Sequence, residues 1–90
     1  MAATLTNETA VALALGALGW TVTEPARAQR LLAVTGLEPS DLRARASEPE
    51  VLAAVLAFLE AHEPDLIACA EAIETVPANL VAARRLLERS

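Results

Sequence analysis

The stretch Glu48-Pro49-Glu50-Val51-Leu52-Ala53-Ala54-Val55-Leu56-Ala57-Phe58-Leu59-Glu60-Ala61-His62-Glu63-Pro64 decides the fold. It is an apolar segment bracketed by two Glu-Pro dipeptides. Proline belongs in a first helical turn, where its missing N–H needs no partner, and a carboxylate there meets the positive end of the helix dipole. Ser47 followed by Glu50 has the spacing of a capping box. Val51, Leu52, Val55, Leu56, Phe58 and Leu59 recur at helical spacing and make a broad apolar face. The segment reads as a helix over Pro49–Ala61, with the next one starting at Pro64.

The same punctuation runs outward in both directions. Glu24-Pro25, Glu38-Pro39 and Val76-Pro77 complete the set of five prolines. Together they divide the chain into short helices expected over Glu8–Thr21, Pro25–Thr35, Pro39–Ala46, Pro49–Ala61, Pro64–Glu74 and Pro77–Arg89. Thr6 or Asn7 caps the first. Ala28, Leu31, Leu32 and Thr35 form the inner face of the second, Arg27 and Arg30 its solvated side, and Gly36 its left-handed stop. Leu42 is the one large apolar anchor of the third, where Asp41 and Arg45 stand at i, i+4. Leu66, Ile67, Cys69, Ala70 and Ile73 point inward from the fifth, and Leu80, Ala83 and Leu87 from the sixth. No segment alternates as a strand does. The expectation is an all-α fold, a compact bundle of five to six short helices, with residues 1–90 forming a single helical domain. The prolines punctuate the chain without making it a repeat, because the intervening segments do not match one another.

The first helix differs from the others. From Ala10 to Trp20 it carries no charged or strongly polar residue, so it belongs at the centre of the domain or at a subunit contact. Gly16 and Gly19 within it allow another helix to come close. The chain is 54% apolar and 21% charged, against typical values of about 45–50% and about 25%. Surface buried against a second chain explains such an excess; abundant alanine, which buries little area, is the other explanation. A homodimer through helix 1 and Trp20 is therefore an expected assembly, and a monomer with helix 1 as its core helix is the alternative.

Charge and motif content narrow the function classes. All seven basic residues are Arg and the net charge is −5. Nucleic-acid binding draws most of its affinity from Lys and Arg neutralising phosphates, and anionic membranes attract basic faces. The sequence therefore points to no nucleic acid and no membrane. Arg27, Arg30, Arg43 and Arg45 could form a small cationic patch around helices 2 and 3, and solvated helix faces account for them more simply. His62 is the only histidine and Cys69 the only cysteine, which excludes a His-rich metal site and an internal disulfide. His62, Glu63 and Asp65 cluster at a helix start, where capping explains them. Cys69 lies among apolar neighbours and reads as a small core residue. No phosphate-binding glycine loop or zinc spacing is present. The expectation is a protein that is not an enzyme, with no catalytic, cofactor-binding or metal-binding residue to designate and no cofactor. The 11-residue apolar run is too short to span a bilayer. No positive segment precedes it, and the single cysteine suits a reducing compartment, so the expected location is cytoplasmic.

Several segments together resemble a family of roughly 90-residue bacterial proteins known as a domain of unknown function. The first is the Ala/Leu-rich run Ala12-Leu13-Ala14-Leu15-Gly16-Ala17-Leu18-Gly19-Trp20. The most specific is Leu31-Leu32-Ala33-Val34-Thr35-Gly36-Leu37-Glu38-Pro39-Ser40-Asp41-Leu42-Arg43. Phe58-Leu59 with Glu63, and Pro77 ahead of Ala82-Ala83-Arg84, continue the pattern. The resemblance implies a small all-helical protein and transfers no functional residue. The expected function is a protein–protein interaction module with an unknown protein partner. The alternatives are a small-ligand binder or enzyme using a pocket invisible in sequence, and a nucleic-acid-associated factor using helices 2 and 3 as a helix-turn-helix-like pair.

Overall fold

A computed structural model describes residues 5–89; the start of the segment that precedes the apolar run of helix 1 lies outside the described residues. Among the described residues the chain forms six helices and no strand. They are α1 (Asn7–Val22), α2 (Pro25–Thr35), α3 (Pro39–Ala44), α4 (Pro49–Glu60), α5 (Glu63–Ala72) and α6 (Pro77–Glu88). All five prolines fall at the first or second position of a helix, so the boundaries follow from local chain chemistry. α3 and α5 end two residues earlier than the sequence pattern suggests. Gly36 ends α2 in the left-handed region, at φ 74°, and its N–H donates to Leu32 O at 2.9 Å.

Local details depart from expectation in three places. Thr6 caps α1 by accepting from Thr9 N at 3.1 Å, but the Ser47–Glu50 capping box does not form. Pro49 is the first helical residue of α4, which makes Glu48 its cap and leaves Ser47 one position too early. Asp41 accepts from the Glu38 N–H at 3.4 Å instead of pairing with Arg45, and Arg45 pairs with Glu48 at 2.9 Å. Ile67 is 46% exposed rather than inward. The inner stripe of α5 is Leu66, Cys69, Ala70 and Ile73, and Ile67 sits about 100° around the helix from Leu66.

α1, α4 and α6 pack most extensively on one another, and α1 also touches α2 and α5. α4 supplies the large side chains: Leu52, Val55, Leu56 and Leu59 are fully buried. Each such leucine contributes roughly 1.5–3 kcal/mol through burial. α6 adds Leu80, Ala83 and Leu87. α1 meets them with small residues, burying Ala10, Ala14, Ala17, Leu18 and Thr21. Thr21, the one buried polar residue among the described residues, is satisfied, since its Oγ1 donates to Ala17 O at 2.8 Å. Alanines on the inner side of α1 let two helices approach its backbone closely. The molecule measures 39 × 27 × 17 Å along its principal axes. Its shortest dimension is about two helix diameters, so each helix keeps an outward side.

Candidate interaction surface

The outward sides of α1 and α4 differ in kind. On α4 that side carries Glu50, Ala54 and Ala57, small or charged. On α1 it carries Ala12, Leu15, Gly19 and Val22, spaced i, i+3, i+7 and i+10 so that they lie along one side of the helix. All four are exposed, Leu15 at 41% and Val22 at 43%. α1 thus buries three alanines with Leu18 and Thr21 and leaves Leu15 and Val22 in solvent. A Cβ built on Gly16 would meet Ile73, the C-cap of α5, at 3.7 Å, an ordinary contact, whereas one on Gly19 would meet nothing within 4 Å. Packing within the chain gives no reason for glycine at position 19.

The C-terminal half of this face borders a groove. Leu18 and Val22 of α1, Ala28 and Leu32 of α2, and Leu42 and Ala46 in and after α3 line it, with Arg43 the one charged residue on its wall. Its volume is about 520 Å³, within the range of ligand pockets. The groove exists because α3 makes only slight contact with the other helices. Leu42 is accordingly half-buried. The groove is apolar, open, and lacks the converging polar groups that a chemical site requires.

The four arginines considered as a patch have separate fates. Arg30 pairs with Asp65 of α5 at 3.4 Å, and Arg45 with Glu48. Arg27 is not on a solvated side. Its side chain is 11% exposed and lies over the Trp20 ring, 3.6 Å from the centroid. It donates to Trp20 O at 2.7 Å, Thr21 O at 3.3 Å and Thr23 Oγ1 at 3.1 Å. Trp20 O also accepts from Thr23 N at 3.2 Å and Thr23 Oγ1 at 2.6 Å, so the guanidinium joins an existing cap at the C-terminal end of α1, where it meets the negative end of the dipole. Arg43 has no ion pair among the described residues. Trp20 is half-buried against the core, beneath Arg27, and projects from a different side of α1 than Leu15 and Val22.

The remaining candidates lie elsewhere. Cys69 is fully buried and free, and burial above all pushes its thiol up to about 11, with the charge of Asp65 acting in the same direction and that of Arg27 against it. His62 is exposed at the start of α5, where its carbonyl accepts from Asp65 N and Leu66 N; it makes no hydrogen bond with Cys69. No group of three or more His, Cys, Asp or Glu among the described residues is placed to hold a metal ion. Arg84 bridges Glu60 of α4 and Glu88 of its own helix, the latter at 2.8 Å, which ties α6 to α4. Among the described residues no single helix is long and apolar enough to cross a membrane.

These features define an all-helical bundle in which the outer side of α1 carries no charge between Glu8 and Glu24 and adjoins an apolar groove. The chain belongs to the family described as "Protein of unknown function (DUF3572)", whose family model matches residues 7–90. No curated protein and no solved structure matches the chain. The sequence pattern located Arg27 on the wrong side of α2 and did not reveal the groove. The missed signal was the seven-residue separation of Trp20 and Arg27 across a helix junction, which brings a cation to an aromatic face only once the turn is known.

Proposed function

We propose that this protein is not an enzyme and acts in the cytoplasm through protein–protein contact, using the outer face of α1 and the groove beside it, rather than through nucleic acid or a membrane. The observation that carries this reading is the composition of that face. From Thr9 to Thr23 it has no charge, although the chain as a whole carries a net −5. Solvated helix faces are normally charged, and an apolar core flanked by isolated charges is the usual anatomy of a protein contact. The apolar lining of the groove and its single arginine suit apolar side chains of a partner better than they suit a reacting substrate. A buried free cysteine fits a reducing compartment.

Photo-crosslinking in the native cell tests this. A photoreactive residue at Ala12 is expected to give a discrete protein adduct that disappears when Gly19→Leu is added, while the same residue at Val34, on α2, gives none. Absence of a protein adduct at Ala12, with native mass spectrometry finding a small apolar molecule bound instead, overturns the reading in favour of a ligand carrier.

A further inference from the structure

We propose that the outer face of α1 pairs with the same face of a second copy of this chain, antiparallel across a two-fold axis, with Leu15 of each copy seated over Gly19 of the other. The proposal rests on the protein-contact reading and specifies the partner.

The first argument is Gly19. A glycine inside a helix destabilises it relative to alanine. Here the space above it is open, with nothing within 4 Å of a Cβ, and the residue is exposed. Neither a positive φ nor a neighbour within the chain explains it. Close approach of another helix does.

The second argument is the arrangement of sizes. In an antiparallel two-fold pair, each residue faces the one equidistant from the crossing point on the other helix. A crossing on the outer side of the helix, at the level of the inward-facing Ala17, sets Leu15 against Gly19 and Ala12 against Val22. Both pairs match a large side chain with a small one, and the two-fold repeats each match. The face is complementary to itself, as an isologous interface requires.

The third argument is charge. Nothing charged lies between Glu8 and Glu24, so two acidic chains can approach here without like charges meeting at the centre. Antiparallel pairing carries Glu8 of the partner subunit past Val22, toward the groove where Arg43 has no ion pair among the described residues. Opposite charges then close both ends of the contact. One helix pair of this length lies at the small end of specific interfaces, so the dissociation constant is expected on the order of micromolar.

Sedimentation equilibrium of the full chain across the micromolar range tests the proposal. The wild type is expected to move from 9.4 kDa toward twice that mass as concentration rises. Gly19→Leu fills the recess, and is expected to weaken association by about tenfold or more while leaving the helical circular dichroism intact, because the site has room in the monomer. The double variant Leu15→Gly with Gly19→Leu exchanges knob and recess, and is expected to restore association. Val34→Glu, on the 70% exposed Val34 of α2, is expected to change nothing. A wild type that stays at 9.4 kDa at every concentration overturns self-pairing; an adduct at Ala12 to a different protein would then leave the protein-contact reading standing. Association indifferent to Gly19→Leu, or not restored by the double variant, overturns this face or this register.

Discussion

Replacing Arg27 by alanine is expected to cost about 2–4 kcal/mol of folding stability, a large share of what a domain of this size has. The figure follows from what the side chain touches. Its guanidinium sits 3.6 Å above the Trp20 centroid and is 11% exposed, a desolvated cation–π contact that contributes about 1–2 kcal/mol. It donates to the Trp20 and Thr21 carbonyls, and charged hydrogen bonds of this kind contribute about 1–2 kcal/mol net. The end of the α1 dipole adds about 0.5 kcal/mol. The ion pair with Glu24, whose side chain is 57% exposed, adds almost nothing. The contributions share one group and do not add fully. Arg27→Lys keeps the charge but loses the planar fork, so about half the loss is expected. The assay is urea unfolding followed by far-ultraviolet circular dichroism, with the melting temperature of Arg27→Ala expected to fall by about 10–25 °C. A double-mutant cycle with Trp20→Leu should show a coupling of about 0.5–2 kcal/mol. A cost for Arg27→Ala below about 0.5 kcal/mol, the range of an ordinary surface substitution, would refute this account and return Arg27 to a solvated role.

Gly36→Ala is expected to destabilise by about 1 kcal/mol, since the φ of 74° is one a Cβ disfavours; an unchanged melting temperature would contradict this. Glu74 has φ 60° just beyond α5, where Thr75 N donates to Ala70 O at 2.8 Å. Relieving that left-handed strain by Glu74→Gly should raise stability by about 0.5–1 kcal/mol, measured in urea, and a loss would count against the strain. Cys69 has its thiol raised from 9.0 to about 11 in the folded chain. The unfolded chain therefore ionises first, so the stability this group contributes is fully present below pH 9 and declines as pH rises through about 11. Unfolding titrations should show this decline in the wild type, and Cys69→Ala should lack it. Native Cys69 should also react with a thiol reagent far more slowly than the unfolded chain, and equal rates would show that it is not enclosed.

What could be read from the chain alone was whatever local chemistry controls. Helix starts were legible because proline in a first turn is a backbone constraint that needs no tertiary partner. The Gly36 stop and the inner faces of α4 and α6 were legible for similar reasons: one needs a positive φ, and the others show a clear apolar period. α1 was not legible in the same way. With every position from Ala10 to Trp20 apolar there is no period to indicate which side faces inward. The bundle resolves this by placing Ala10, Ala14 and Ala17 against α4 and α6, leaving Leu15 and Val22 outside. Arg27 failed for another reason. On the isolated α2 it belongs to a polar side, and only the turn at residues 23–24 folds it back onto Trp20. The groove depends on where three helices sit relative to one another, which no single segment encodes.

Hydroxyl-radical footprinting in intact cells, compared with dilute purified protein, addresses the central claim most directly. Leu15, Val22 and Ile67 have nearly equal exposure in the isolated chain, 41%, 43% and 46%, so their labelling is directly comparable. If the outer face of α1 is where this protein meets protein, Leu15 and Val22 will be protected in cells, while Ile67 on α5 and Val34 on α2 are labelled as in the purified sample. Labelling of Leu15 and Val22 in cells at the level of Ile67 would contradict the claim.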